Sequence, residues 1–304
     1  MVTKITYHLM PWEIDYALLS FTQFKKSKYH LDPNDIVKID TTLNLSSYII
    51  DWDKSKLPKE YFIQKYKDLS ILLEDYIHTP YIYDGDELFG ILDKQRRCYE
   101  TDVDYYIELC PDMYFNEHLL ASLIEAAKIV PNKYFVITPQ VHKMWDWTWD
   151  VLVNPKYQKV PYSGWDKADL FDIRFETKYN SEPLSLKAIN VSKWANWFDL
   201  YSKSYYEEII PIPEDWHGYG PGDTYGMVIT EYAKNKGLDF QQYVLEGQTI
   251  FEYPIGPLKQ RNFASYYKDL IFTKQIPNQR AEFEARFNEY VNNGIQNLID
   301  KKII

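Results

Sequence analysis

The feature that constrains this chain most is a regular alternation of short apolar runs with amphipathic stretches between residues 5 and 138. Residues 5–10 read as a strand broken at Pro11, and residues 13–28 follow with Ile14, Ala17, Leu18, Phe21 and Phe24 at helical spacing. Residues 35–40 alternate as a strand expected to end in the polar turn Thr41-Thr42. Residues 59–76 are helical in pattern, 81–83 form a short strand, and 88–100 a helix carrying Lys94, Arg96 and Arg97. Residues 104–109 are the next strand, 116–130 an amphipathic helix, and 133–138 a further strand. Such alternation predicts an α/β fold, a mostly parallel sheet with helices on both faces. Ligands of these sheets bind beyond the carboxyl ends of the strands. The informative residues are therefore Pro11, Trp12 and Glu13, then Asp40, Asp84, and the junction from Glu108 to Asp112.

Periodicity fades from 140 to 180, where Trp145, Trp147, Trp149 and Trp165 gather, and order resumes at 194–206. A loop at 211–222 precedes a helix expected over 223–236. The charged, amphipathic tail at 278–302 is expected to be a helix pair packed on the outside. No internal repeat interrupts this order. The expected organisation is one domain over 1–255, in two halves at 1–138 and 139–255, followed by a helical C-terminal appendage at 256–304.

Composition narrows the function classes. The 304 residues carry a net charge of −10, and the sequence pI is near 5.2. Duplex binding draws most of its affinity from phosphate neutralisation. No basic cluster here exceeds Lys25-Lys26-Ser27-Lys28, so nucleic acid is not the favoured partner. Cys98 and Cys110 lack the spacing of a zinc or redox pair. No basic-then-apolar leader opens the chain and no run of 18 apolar residues crosses it, so no membrane span is expected and the protein reads as cytoplasmic. The 28 Tyr and 9 Trp suit stacking on sugars or bases, or equally a core built from such residues. Six scattered histidines show no His-x-x-x-His spacing. Hydrolase elbows, P-loops and dinucleotide fingerprints are absent from the sequence.

Two segments carry the chemistry. The first, Tyr105-Tyr106-Ile107-Glu108-Leu109-Cys110-Pro111-Asp112, ends an apolar strand in carboxylates. Buried carboxylates are costly unless paired, hydrogen-bonded or bound to a cation. A divalent ion held there could bridge a diphosphate and act as a Lewis acid. The second, Trp216-His217-Gly218-Tyr219-Gly220-Pro221-Gly222-Asp223-Thr224, is a glycine-rich loop opening a helix at an Asp.

The first segment resembles the metal-binding Asp-x-Asp stretch of GT-A-fold glycosyltransferases, and the family-2 group above all. Asp112 matches the second Asp and Cys110 stands at the first; either Glu108, two residues earlier on the same strand face, substitutes for it or the metal is held by fewer protein ligands. The second segment is similar to the loop that delivers a Glu-Asp pair in that family, with Asp223 at the general-base position and Gly222 where Glu is usual. The opening Pro11-Trp12-Glu13 resembles the family's nucleotide-holding loop. Asp40 falls at the place of its base-contacting Asp, and Asp84 closes the third strand. Gly90 ahead of Lys94, Arg96 and Arg97 resembles its donor-side helix, where Arg suits a diphosphate.

The resemblance spans roughly 4 to 250. It implies a GT-A sheet and an inverting, metal-dependent transfer from a nucleotide sugar, UDP-linked above all, to a hydroxyl of a glycan or other acceptor. It also implies Mn²⁺ or Mg²⁺ at Asp112 and Glu108, and an acceptor wall including Trp145, Trp216, His217 and Gly222. Two other readings stay open: transfer to a modified DNA base, and a non-catalytic carbohydrate binder in which Cys110 and Gly222 mark a lost site.

Overall fold

β1 (Val2–Leu9) is an interior strand of the sheet, buried along all but its first residue. Ile5, Tyr7 and Leu9 point to one face while Lys4, Thr6 and His8 point to the other, and both faces are covered. The computed structural model describes residues 1–46, 57–86, 89, 91–142, 147–157, 185–211, 222–252 and 280–304.

Within these residues, α1 (Ile14–Ser27) follows β1, then β2 (Ile36–Asn44), α2 (Lys59–Ser70), β3 (Ile77–Tyr83), α3 (Ile91–Cys98) and β4 (Tyr105–Leu109). Next come β5 (Met113–Tyr114), α4 (Leu119–Ile129), β6 (Tyr134–Val141), β7 (Ser185–Ile189), β8 (Phe198–Ser202) and α5 (Lys203–Glu208). The described chain ends with α6 (Gly222–Asn235), β9 (Phe240–Glu252) and α7 (Arg280–Asp300). The strands lie in the order β3-β2-β1-β4-β8-β6-β9-β5, with β7 also paired to β9. From β3 to β4 every pairing is parallel, β8 runs against both its neighbours, and β6 and β9 are parallel again. This is the mostly parallel, doubly covered α/β plan that the resemblance to GT-A enzymes implies.

Two cores cover the two faces. On one, Ile14, Ala17, Phe21 and Phe24 of α1, Phe62, Tyr66 and Leu69 of α2, and Leu119, Leu120, Leu123 and Ile124 of α4 pack on Ile5, Ile39, Ile107 and Leu200. On the other, Tyr205 and Tyr206 of α5, Tyr225 and Ile229 of α6, and Tyr290, Val291 and Leu298 of α7 pack on Tyr106, Tyr201 and Val136. Much of the tyrosine excess is thus packing material: the Tyr106 and Tyr206 rings stack 4.0 Å apart.

Several sequence expectations change. β2 does not stop at a Thr41-Thr42 turn but continues to Asn44, because both threonines are fully buried between β1 and β3. β3 starts at Ile77, four residues ahead of the expected 81, and tolerates Pro80 because it is the edge strand. The tail is one 21-residue helix rather than a pair. β5, β7 and β9, read from the sequence as no element, complete the sheet beyond β6, so the junction after Asp112 enters a short strand before α4, and β8 runs within the segment marked only as ordered.

Candidate functional site at the strand ends

The turn after β4 is set by local chemistry. Met113 N–H donates to the Cys110 carbonyl at 3.3 Å, with Pro111 and Asp112 as the central pair. Proline pre-sets the backbone for the first of these positions. Cys110 is tied to the neighbouring segment, its N–H donating to the Trp197 carbonyl at 3.2 Å and its thiol to the Asn196 carbonyl at 3.3 Å. Asp112 is half-buried. After β1, Pro11–Glu13 form a single 3₁₀ turn. Met10 N–H donates to Glu13 Oε2 at 2.8 Å, so one oxygen of that carboxylate caps the turn.

The two loops meet. Burial, then the charges of Asp112 and Glu13, push the Cys110 thiol well up, and burial with the same two carboxylates pushes Tyr7 well up. Asp112, Glu13 and Cys110, beyond β1 and β4, therefore share one neighbourhood with Tyr7 inside β1. Cys110 stands there as a neutral thiol.

Two cations act in the same region. Burial, then Lys94 and Arg97, hold His8 well below the usual imidazole range, so it is neutral. Lys94 is almost fully buried and also acts on Cys110, against the carboxylates. Arg97 donates to Thr42 Oγ1 at 3.1 Å and lies 4.2 Å over the Tyr81 ring. Arg96 instead pairs with Asp93 of its own helix at 3.2 Å. Asn44 Nδ2 lies 3.3 Å from His8 Nε2. Thr42, His8 and Asn44 were not among the site residues expected from the sequence, although Lys4, Thr6 and His8 alternate as polar residues along β1.

Beneath this basin runs a row of carboxylates. Asp40 pairs with Thr6, Thr6 with Glu108, and Glu108 with Asp199 in successive ladders, all on one face. Asp40 is therefore inside β2 rather than at its end, and it is neutralised by buried Lys4 at 3.0 Å. Glu108 is buried under α3: Gln95 Nε2 donates to both its oxygens at 2.6 Å, and Tyr206 Oη donates to Oε1 at 3.3 Å. Asp199 is pushed up to about 7, first by burial and then by Glu108, against the opposing hydrogen bonds from Thr138 and from the Asn196 and Ala195 amides. Its Oδ2 is buried without a partner. This row supports the basin from below.

Other expected residues lie elsewhere. Asp84 is exposed at the sheet edge and paired with Lys59. Asp223 follows Gly222 at the first turn of α6, as the sequence implied. Trp145, Trp216 and His217 lie outside the described residues, as does Trp165. Trp147 is exposed, and Lys193 Nζ sits 5.0 Å over the Trp149 ring. Among the described residues, one group of three His, Cys, Asp or Glu ligand atoms gathers within 4.8 Å, and it is His30, Glu117 and His118.

No protein-family model matches this chain, and no curated protein matches it. Among solved structures, it is similar to the S. aureus TarS fragment 1–349, with 11% identity and a TM-score of 0.46 over 99% of this chain and 72% of that one. GalNAc-T7, solved with UDP, GalNAc and Mn²⁺, aligns at 10% identity and a TM-score of 0.45, over 96% of this chain and 54% of that one. The same TarS fragment in complex with UDP-GlcNAc aligns at 13% identity and a TM-score of 0.39, over 80% and 58%. These neighbours are glycosyltransferases. At such distance the likeness is one of chain course, and residue roles must come from this chain's own geometry.

Proposed function

We propose that the chain is a glycosyltransferase that moves a sugar from a nucleotide-diphosphate sugar, UDP-linked in the first instance, to an acceptor hydroxyl. The observation that carries this reading is the gathering of charge at the strand ends, where the Asp112 and Glu13 carboxylates and buried Lys94 all act on Cys110 while Lys94 and Arg97 act on His8. Carboxylates and cations gathered in one region suit a cation–diphosphate pair, since each charge then meets its complement.

The carboxylates fit a hard divalent ion such as Mn²⁺ or Mg²⁺, with Asp112 as the ligand and Glu13 sharing its surroundings. Such an ion, when bound, supplies Lewis-acid stabilisation of the leaving diphosphate. Arg97, preset by its stack on Tyr81 and its bond to Thr42, offers its guanidinium to phosphate oxygens. Lys94 adds a buried positive charge beside them. Neutral His8, bonded to buried Asn44, packs behind the two cations. Glu108, held by Gln95 and Tyr206, orients α3 and with it both cations. Asp223, at the start of α6, takes the proton of the acceptor hydroxyl as it attacks, with inversion at the anomeric carbon. Trp145, Trp216, His217 and Gly222 are assigned to the acceptor side.

The test is nucleoside diphosphate release from UDP-GlcNAc and UDP-GalNAc with and without Mn²⁺, comparing the wild type with Asp112→Asn. Metal-dependent release that falls by roughly a hundredfold or more in the variant supports the assignment. Intact, metal-independent turnover in Asp112→Asn removes the metal role. A wild type that is thermally stabilised by sugars yet releases no diphosphate from any nucleotide sugar is a carbohydrate binder.

A further inference from the structure

The His30, Glu117 and His118 group lies away from the basin. α1 starts beside the strand ends, and His30 ends the 3₁₀ turn that follows its far end. Glu117 and His118 immediately precede α4. The two imidazole rings lie 4.1 Å apart at 54°. His30 Nε2 is 3.6 Å and His118 Nε2 3.9 Å from the same oxygen, Glu117 Oε1. A tetrahedral zinc ion bound at about 2.0–2.1 Å places its ligand atoms roughly 3.3 Å apart. The two imidazole–carboxylate separations are a few tenths of an ångström wider, and all three ligand atoms lie within 4.8 Å of one another, so side-chain rotations suffice to close them on one ion. The backbone at His118 is already fixed, since its N–H donates to Asn116 Oδ1 at 2.9 Å and its carbonyl accepts from Ser122 Oγ at 2.9 Å. All three side chains are open to solvent, which leaves an entry path and room for a water ligand.

We propose that His30, Glu117 and His118 form a second metal site, separate from the basin and selective for an imidazole-preferring divalent ion such as Zn²⁺. Two imidazoles and one carboxylate favour zinc over the hard ions that an oxygen-only site takes. An ion there ties the end of α1 to the start of α4, two elements of one core that no disulfide joins. The site is a clasp between them, and its proposal is independent of the catalytic reading.

The experiment uses the full chain without a polyhistidine tag, stripped with EDTA and titrated with ZnCl₂ by calorimetry, beside Mg²⁺ as the hard-ion control. The wild type is expected to bind one Zn²⁺ at this site and to melt at a higher temperature with it. His30→Ala and His118→Ala should each weaken that binding at least tenfold and lose the thermal shift, while Asp112→Asn keeps both. The substituted histidines are exposed, and circular dichroism confirms that each variant is folded. Wild-type zinc affinity and thermal shift in the double variant His30→Ala/His118→Ala would overturn the proposal, as would no zinc binding by the wild type.

Discussion

Replacing Asp199 by Asn tests the buried carboxylate row through its dependence on pH. The Asp199 carboxyl titrates near 7 in the folded protein, against about 3.9 in an unfolded chain. Between these values the folded state holds a proton that the unfolded state has released. The stability slope with pH is therefore negative: this group costs nothing below about pH 4, and its cost grows until about pH 7 and is constant above. A displacement of about 3 pH units at about 1.4 kcal/mol each makes the full cost on the order of 4 kcal/mol. Between pH 5 and pH 8 the change is about 2 units, or roughly 3 kcal/mol. Asn keeps the shape and cannot ionise. Urea unfolding at the two pH values should show the variant gaining on the wild type by roughly 3 kcal/mol on going from pH 5 to pH 8. Whatever the substitution costs in lost hydrogen bonds with Thr138 and the Asn196 and Ala195 amides appears at both pH values and cancels in that difference. An equal effect at pH 5 and pH 8 would refute the reasoning, since it would mean that Asp199 is ionised throughout or hydrated.

Three further outcomes follow from the packing and the site. Lys4→Met leaves Asp40 buried without its cation, and equilibrium unfolding at pH 7 should register a loss of about 3–5 kcal/mol. Gly294→Ala puts a methyl group against Ile229 and Tyr225 where α7 lies on α6. Overpacking there should outweigh the gain in helix propensity and lower stability by about 1–2 kcal/mol, read as a lower melting temperature. Arg97→Met should weaken UDP-sugar binding by roughly tenfold to a hundredfold, the worth of one charge-assisted hydrogen bond, while Arg96→Met leaves it nearly unchanged in the same titration.

The sequence by itself determined the strand–helix alternation and hence a mostly parallel sheet, because hydrophobic periodicity is a local property that each segment displays alone. It also placed the Cys110-Pro111-Asp112 turn and the helix opening at Gly222-Asp223, since turn and cap chemistry act over a few residues. It did not reveal β7 or β9, nor that β8 is a reversed strand: their pairing is made across the sheet, and β9 finds β6 about a hundred residues away along the chain. Nor could it decide which arginine turns inward, since Arg96 and Arg97 are adjacent and only the Tyr81 ring and Thr42 select between them. Asp40 looked like a strand-end group because polar Thr41 and Thr42 follow it; both are buried by strands far away in sequence, so β2 runs on and Asp40 becomes an internal ion pair. The carboxylate row and the His30–Glu117–His118 cluster belong wholly to the tertiary structure. Each depends on residues distant in the chain meeting at a few ångströms, where burial and neighbouring charge, rather than residue type, set what a side chain can do.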